Sequence, residues 1–173
     1  MRPTAIVYTS NTGYTAEYAR LLSINTGLPY YSIESASKSI PKNTVIIYLG
    51  WLMAGCVKGY KTANKKYAVS AVCGVGMGTA GSQTQDVRKV NAIPEKIPVF
   101  TLQGGFNSDK LHGIYKFMMK VMKKTLGKGL EDKNKRTPDE DAMLDMLKNG
   151  GNYVSEKNLT EVLNWYSEED GLL

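Results

Sequence analysis

Histidine and cysteine are nearly absent from this chain, which removes most metal and thiol chemistry at the outset. Of 173 residues, one is histidine (His112) and two are cysteine (Cys56 and Cys73). Two cysteines cannot build a disulfide framework and here lack metal-ligand spacing, so a reducing cytoplasm is the expected compartment. A solitary histidine without a partner in sequence reads as structural or exposed rather than catalytic. No apolar run approaches the roughly 20 residues that a membrane-spanning helix needs. No charged-then-apolar leader precedes the first strand, so no signal peptide is expected. Internal repeats and low-complexity stretches are also missing. The 42% hydrophobic and 22% charged fractions are those of an ordinary soluble globular protein. The length favours one domain spanning residues 1–173.

What the chain does have is positive charge and an unusual turn. Lys and Arg number 22 against 16 Asp and Glu, a net +6 that suits nucleic acid, an anionic membrane surface or an acidic protein. The turn is Tyr8–Thr15, YTSNTGYT, which follows the apolar run Ala5–Val7 and precedes a helix-like segment. Besides its tyrosines it carries the hydroxyls of Thr9, Ser10, Thr12 and Thr15, the amide of Asn11, and Gly13. Hydroxyls beside a helix N-terminus, where backbone N–H groups lack partners and the dipole is positive, make a phosphate cradle. The alternative is a plain N-cap, but a cap uses one hydroxyl and this turn supplies several.

Strand and helix patterns alternate through residues 4–105. The expected strands are Thr4–Tyr8, Tyr30–Ile33, Thr44–Leu49, Tyr67–Cys73 and Ile97–Leu102, all short apolar runs. Between them, Thr15–Ile24, Lys58–Lys66 and Ser82–Ile93 read as helices, and Ser35–Ser39 with Pro41 as a polar connector. Continuous rather than alternating apolar strands mark a parallel sheet covered on both faces. The expected fold is therefore α/β, a doubly wound five-stranded parallel sheet in the order 2-1-3-4-5, with ligands beyond the carboxyl ends of its strands. Strands 1, 3 and 4 are neighbours in that order. Their following segments are the hydroxyl-rich turn, GWLMAGC and GVGMGTAG, which are expected as loops converging on one crevice.

From Asn107 onward only helices are expected. Lys110–Leu126 has one apolar stripe with its lysines mostly off it. Thr137–Lys148 opens with Thr137, Pro138 and Glu140, a capping box, and Gly150 and Gly151 end it. Ser155–Ser167 is the last helix, with Leu159, Val162, Leu163 and Tyr166 facing inward.

Ser10, Thr12, Gly13 and Thr15 match the [ST]-x-T-G-x-T phosphate loop of flavodoxins at the same place after the first strand, and on that match the chain resembles the flavodoxin-like FMN-binding proteins. The resemblance covers the alternation of residues 4–105 and implies a non-covalently bound FMN. Its phosphate would lie against Ser10, Asn11, Thr12, Gly13, Tyr14 and Thr15. Its ring would lie between Trp51, Leu52, Met53, Ala54 and Gly55 on one side and Gly74, Val75, Gly76 and Met77 on the other. Trp51 and Met77 have packing alternatives, at the sheet edge and as a gap-filler. Flavodoxin electron carriers are typically acidic and end soon after the fifth strand. This chain is basic and carries an insertion over residues 107–151. The piece GFNSDKLHGIYKFMMKVMKKTLGK is similar to the insertion of menaquinone-dependent protoporphyrinogen oxidases and their flavodoxin-domain relatives.

That subgroup implies an FMN-dependent oxidoreductase with a quinone or porphyrinogen-like substrate. The alternative is an electron carrier that meets a redox partner protein and has no substrate site of its own. A third reading is a flavin-less regulatory domain. Lys110–Lys128 is either a core-packing helix with a solvated lysine face, a helix lying on the anionic inner face of a membrane, or a docking face for a redox partner. Nucleic acid is not expected, since the lysines lack interleaved aromatics and no binding motif is present.

Overall fold

Five apolar runs pair edge to edge, all in the same direction. A computed structural model of the chain describes residues 2–107, 121, 129, 132–133 and 135–169. The strands are β1 (Ala5–Thr9), β2 (Tyr30–Ser32), β3 (Val45–Met53), the short β4 (Cys56–Val57), β5 (Ala68–Gly76) and β6 (Val99–Gln103). The sheet order is β2-β1-β3-β5-β6 with every one of these contacts parallel, and β4 turns back antiparallel on β3. This is the flavodoxin-like doubly wound order expected from the alternation of elements.

Two-residue alternation sends successive side chains to opposite layers. Ile46 and Tyr48 join Ala5, Val7, Val72 and Val99 on one face; Ile47 and Leu49 join Ile6, Cys73, Val75 and Leu102 on the other. Helix α1 (Tyr14–Thr26) lies on the Ile47 face, while α2 (Ile33–Ser39), α3 (Tyr60–Lys66) and α4 (Thr84–Asn91) cover the Ile46 face. After α5 (Pro138–Asn149), the closing helix α6 (Thr160–Glu169) joins the α1 layer through Val162 and Tyr166, with Leu159 just before it. Burying each Ile, Leu or Val contributes about 1.5–3 kcal/mol, so both layers are needed to hold the central strands.

The structure departs from the sequence pattern in four places. Ser35–Ser39 is helical and not a connector. Ser32 caps it by accepting the Ser35 N–H at 3.2 Å, Ala36 is buried, and Ser37 and Ser39 turn their hydroxyls back onto backbone carbonyls. Strands β3 and β5 run past Gly50 and Cys73 to Met53 and Gly76, so the two glycine-led segments expected as loops begin inside the sheet. The C-terminal region is not purely helical: β7 (Gly105–Phe106) and β8 (Gly151–Asn152) form a small antiparallel ribbon. The last helix opens as a 3-10 turn, Glu156–Leu159, capped by Ser155. The capping box at Thr137 is present as expected, with Glu140 and Thr137 bonding each other's backbone N–H. Apart from Val121, the expected helix Lys110–Leu126, with His112, lies outside the described residues. Among the described residues no helix is long and apolar enough to cross a membrane.

At the β6 edge of the sheet two outward carbonyls are occupied. Thr101 O accepts the Gly81 N–H at 2.9 Å, and Gln103 O accepts the Tyr18 hydroxyl at 2.5 Å and the Asn158 side-chain N–H at 3.3 Å. One buried polar atom has no partner among the described residues, the Tyr60 hydroxyl in the α3 layer. Tyr60→Phe removes that desolvated group while keeping the ring. It is expected to leave stability unchanged or raise it by up to about 1 kcal/mol in urea unfolding. A clear loss would show that the hydroxyl is satisfied in solution.

Candidate functional site

The crevice at the carboxyl ends of β1 and β3 begins where β1 hands over to α1. The residue that caps α1 is Gly13, at φ 96°, a left-handed backbone that glycine adopts without a Cβ penalty. Ser10 Oγ accepts the Gly13 N–H at 3.2 Å, and Glu17 N–H makes the first helical bond, to Gly13 O, at 3.0 Å. Since a glycine occupies the cap position, Thr12 and Thr15 are not needed for ordinary N-capping. Ser10 and Thr12 are half-buried, Asn11 and Gly13 exposed and Thr15 buried. The N–H groups of Thr15 and Ala16 lie in the first turn, where no intrahelical carbonyl is available. Hydroxyls, turn amides and the positive end of a helix of 13 residues therefore meet at one point. Tyr14 belongs to this loop by its backbone. Its ring packs on the start of β7, where a Cβ on Gly105 would stand 2.6 Å from it, and burial raises its phenol pKa.

The segment after β3 is a β-hairpin. Leu52 pairs with Val57 and Met53 with Cys56, around a turn in which Ala54 and Gly55 have φ 48° and 75°. Two positive φ values in succession are what a type I′ hairpin turn requires. Asn91, buried at the end of α4, pins it: Oδ1 accepts the Val57 N–H at 2.9 Å, and Nδ2 donates to Gly55 O at 2.8 Å and Val87 O at 2.7 Å. The base is tied as well. The Tyr48 hydroxyl donates to Lys58 O at 2.7 Å and shares a hydrogen bond with the Thr9 hydroxyl at 2.8 Å.

Strand alternation divides the expected ring contacts into two groups. Leu52 and Val57 face the α2–α4 layer. A Cβ on Gly74 or Gly76 would lie 2.8 or 3.0 Å from Leu52, so these glycines give room to Leu52 and are covered by it. Val75 is buried in the opposite layer. Met77 packs against Phe106 and Met146, tying the segment after β5 to α5 and the β7–β8 ribbon. Trp51 and Met53 alternate onto the other side of the hairpin, together with Cys56 and Lys58, and all four are half-buried. The Lys58 Nζ stands 5.7 Å from the Trp51 ring centroid.

The crevice thus unites Ser10–Thr15 with Trp51 and Met53, while Leu52, Gly74, Val75, Gly76 and Met77 are engaged in packing and the turn pair Ala54–Gly55 is held by α4. The expectation that Leu52 and Gly74 to Gly76 lie in loops needs correction: they belong to β3 and β5, and Leu52 covers both glycines. Lys58, Tyr48 and Asn91 escaped the sequence reading. The two-residue Ala54–Gly55 turn between WLM and CVK places Lys58 opposite Trp51.

Cys73 is fully buried and its thiol is pushed up to about 12 by desolvation, so it stays a neutral core residue. Among the described residues no cluster of His, Cys, Asp and Glu is arranged to hold a metal ion. A separate cavity of about 300 Å³ lies at the β6 edge, bordered by Phe100, Thr101, Lys157 and Glu161.

Comparison with protein-family models, with curated proteins and with solved structures finds no match for this chain. The reading of the crevice rests on its own chemistry. Its phosphate end fits an FMN phosphate, since hydroxyls and turn amides surround an exposed Gly13 with no heavy atom within 4 Å of where a Cβ would stand. The half-buried Trp51 and Met53 on one side of the hairpin offer the apolar surface that a flavin ring would need.

Proposed function

We propose that this chain is an FMN-binding flavoprotein, an oxidoreductase of the type represented by the protoporphyrinogen oxidase-like flavodoxin proteins. The observation that carries the proposal is the Ser10–Thr15 loop capped by Gly13, which has hydroxyls to spare beyond what capping consumes. Bound FMN supplies the electron-transfer chemistry, and the protein supplies binding and orientation. Ser10, Thr12 and the first-turn amides hold the phosphate. Trp51 offers a flat apolar surface beside the ring, and Met53 extends it. The substrate proposed is a quinone or a porphyrinogen-like molecule, in the cytoplasm, with peripheral contact to the inner face of the membrane through Lys110–Lys128.

The test is the visible absorption spectrum of the purified protein, before and after added FMN. A colourless protein that takes up no FMN overturns the proposal. Thr12→Val gives a sharper check. It is expected to raise the FMN Kd by roughly tenfold or more, through loss of a hydroxyl donor to a charged phosphate, while stability shifts by under about 0.5 kcal/mol. Equal losses of affinity and stability would reduce Thr12 to a structural residue.

A second reading, an electron carrier serving a redox partner protein, is favoured by one feature: Trp51 and Met53 are only half-buried, so the ring side of the hairpin is open to a docking surface. Oxidation of a porphyrinogen coupled to quinone favours the enzyme. Electron exchange with a ferredoxin-type reductase, and no turnover, favours the carrier.

A further inference from the structure

We propose that Lys58 is the cation that faces the phosphomonoester in this crevice, and that it makes the site select phosphorylated over unphosphorylated ligands. The inference deepens the FMN reading and rests on it for the identity of the ligand, though its charge chemistry is tested separately below.

The placement follows from strand register. Gly50 pairs with Thr9, so the next residue of β3, Trp51, stands level with Ser10 at the mouth of the loop. Across the hairpin the Lys58 N–H donates to Trp51 O at 3.0 Å, which makes the two residues cross-strand neighbours, and the ammonium lies 5.7 Å from the indole centroid. The backbone beneath Lys58 cannot wander. Its carbonyl is held by Tyr48, and Gly59 is seated directly on the hydroxyls of Tyr48 and Thr9, the residue preceding Ser10.

Lys58 differs from the other half-buried cation whose partner is clear. Arg88 has Glu95 at 3.7 Å, whereas no ion pair among the described residues involves Lys58. An indole face is a weaker partner for an ammonium than a full negative charge. A phosphate held by Ser10, Thr12 and the α1 amides supplies the missing negative charge, and a charge-assisted contact there strengthens with the low dielectric of a crevice. The uncharged hydroxyl of an unphosphorylated flavin would gain nothing comparable.

The experiment titrates wild type, Lys58→Gln and Lys58→Arg with FMN and with riboflavin by flavin fluorescence, with circular dichroism as a control for folding. Lys58→Gln is expected to raise the FMN Kd roughly tenfold and leave the riboflavin Kd within about twofold, and Lys58→Arg to restore most of the loss. The salt dependence of FMN binding should flatten in Lys58→Gln. Equal weakening of both flavins, or of neither, overturns the assignment and leaves Lys58 as a lysine resting on Trp51. Inorganic phosphate, followed through the amide resonances of Gly13–Ala16, separates the two proposals. If wild type takes up no flavin yet binds phosphate in a Lys58-dependent way, the anion site stands and the FMN reading falls. If phosphate binding is absent or indifferent to Lys58, the Lys58 assignment falls, whatever the flavin does.

Discussion

Asn91→Ala is expected to lower the unfolding free energy by about 3 kcal/mol, measured by urea denaturation. One buried amide side chain makes three hydrogen bonds, two of them to the hairpin at Val57 N–H and Gly55 O. Truncation leaves those backbone groups without partners in a water-poor place, at about 1–3 kcal/mol for each group left unsatisfied. Hydrogen exchange gives the local signature: the Val57 amide should lose protection well before the amides of β1 or β5. FMN affinity should fall with it, because Trp51 and Lys58 stand on the hairpin that Asn91 pins. A loss below about 1 kcal/mol would mean that Leu52 and Val57 alone hold the hairpin down by their apolar contacts.

Gly59→Ala should cost as much or more, about 3–5 kcal/mol, and for a different reason. Gly59 has φ 82°, and a side chain in that left-handed region costs roughly 1–2 kcal/mol before any contact is counted. A Cβ would also run into the Tyr48 and Thr9 hydroxyls, and Tyr48 is fully buried with nowhere to retreat. The Tyr48–Thr9–Lys58 bonds must then break or the hairpin must lift, adding about 1–3 kcal/mol for the stranded buried groups. Thermal unfolding and FMN titration together check this. The variant should lose both stability and affinity, whereas Thr12→Val should lose affinity alone. A Gly59→Ala protein as stable as wild type would show that the loop beneath Lys58 is loosely seated.

The sheet was legible because its strands are apolar along their whole length, and only burial on both faces explains runs such as TVIIYL. The turn from β1 into α1 was legible because a strand end, a glycine and a helix start follow within eight residues. Glycine misled where it served packing. Gly50, Gly74 and Gly76 read as strand ends, yet they sit inside β3 and β5, where Val57 and Leu52 need the space a Cβ would fill. The hairpin turn was hidden because Ala54, a residue with a Cβ, adopts φ 48°, a conformation that sequence assigns to Gly or Asn first. Helix α2 was hidden by its serines, whose preference for loops is offset here by a Ser32 cap and by burial of Ala36. Asn91 had no sequence signal at all; its role is set by what α4 is packed against.

The hydrogen bonds from Gly81, Tyr18 and Asn158 to the outer carbonyls of β6 also bear on how the protein behaves in a crowd. A parallel sheet ends in two rows of unmet backbone groups, each a template on which another chain could polymerise. On one side a loop, a phenol and an amide from within the same chain take the carbonyls of Thr101 and Gln103. On the other, β2 presents only three residues, too short a row for an incoming strand to grip. Among the described residues, each edge thus offers an incoming strand fewer open groups than a bare sheet edge would.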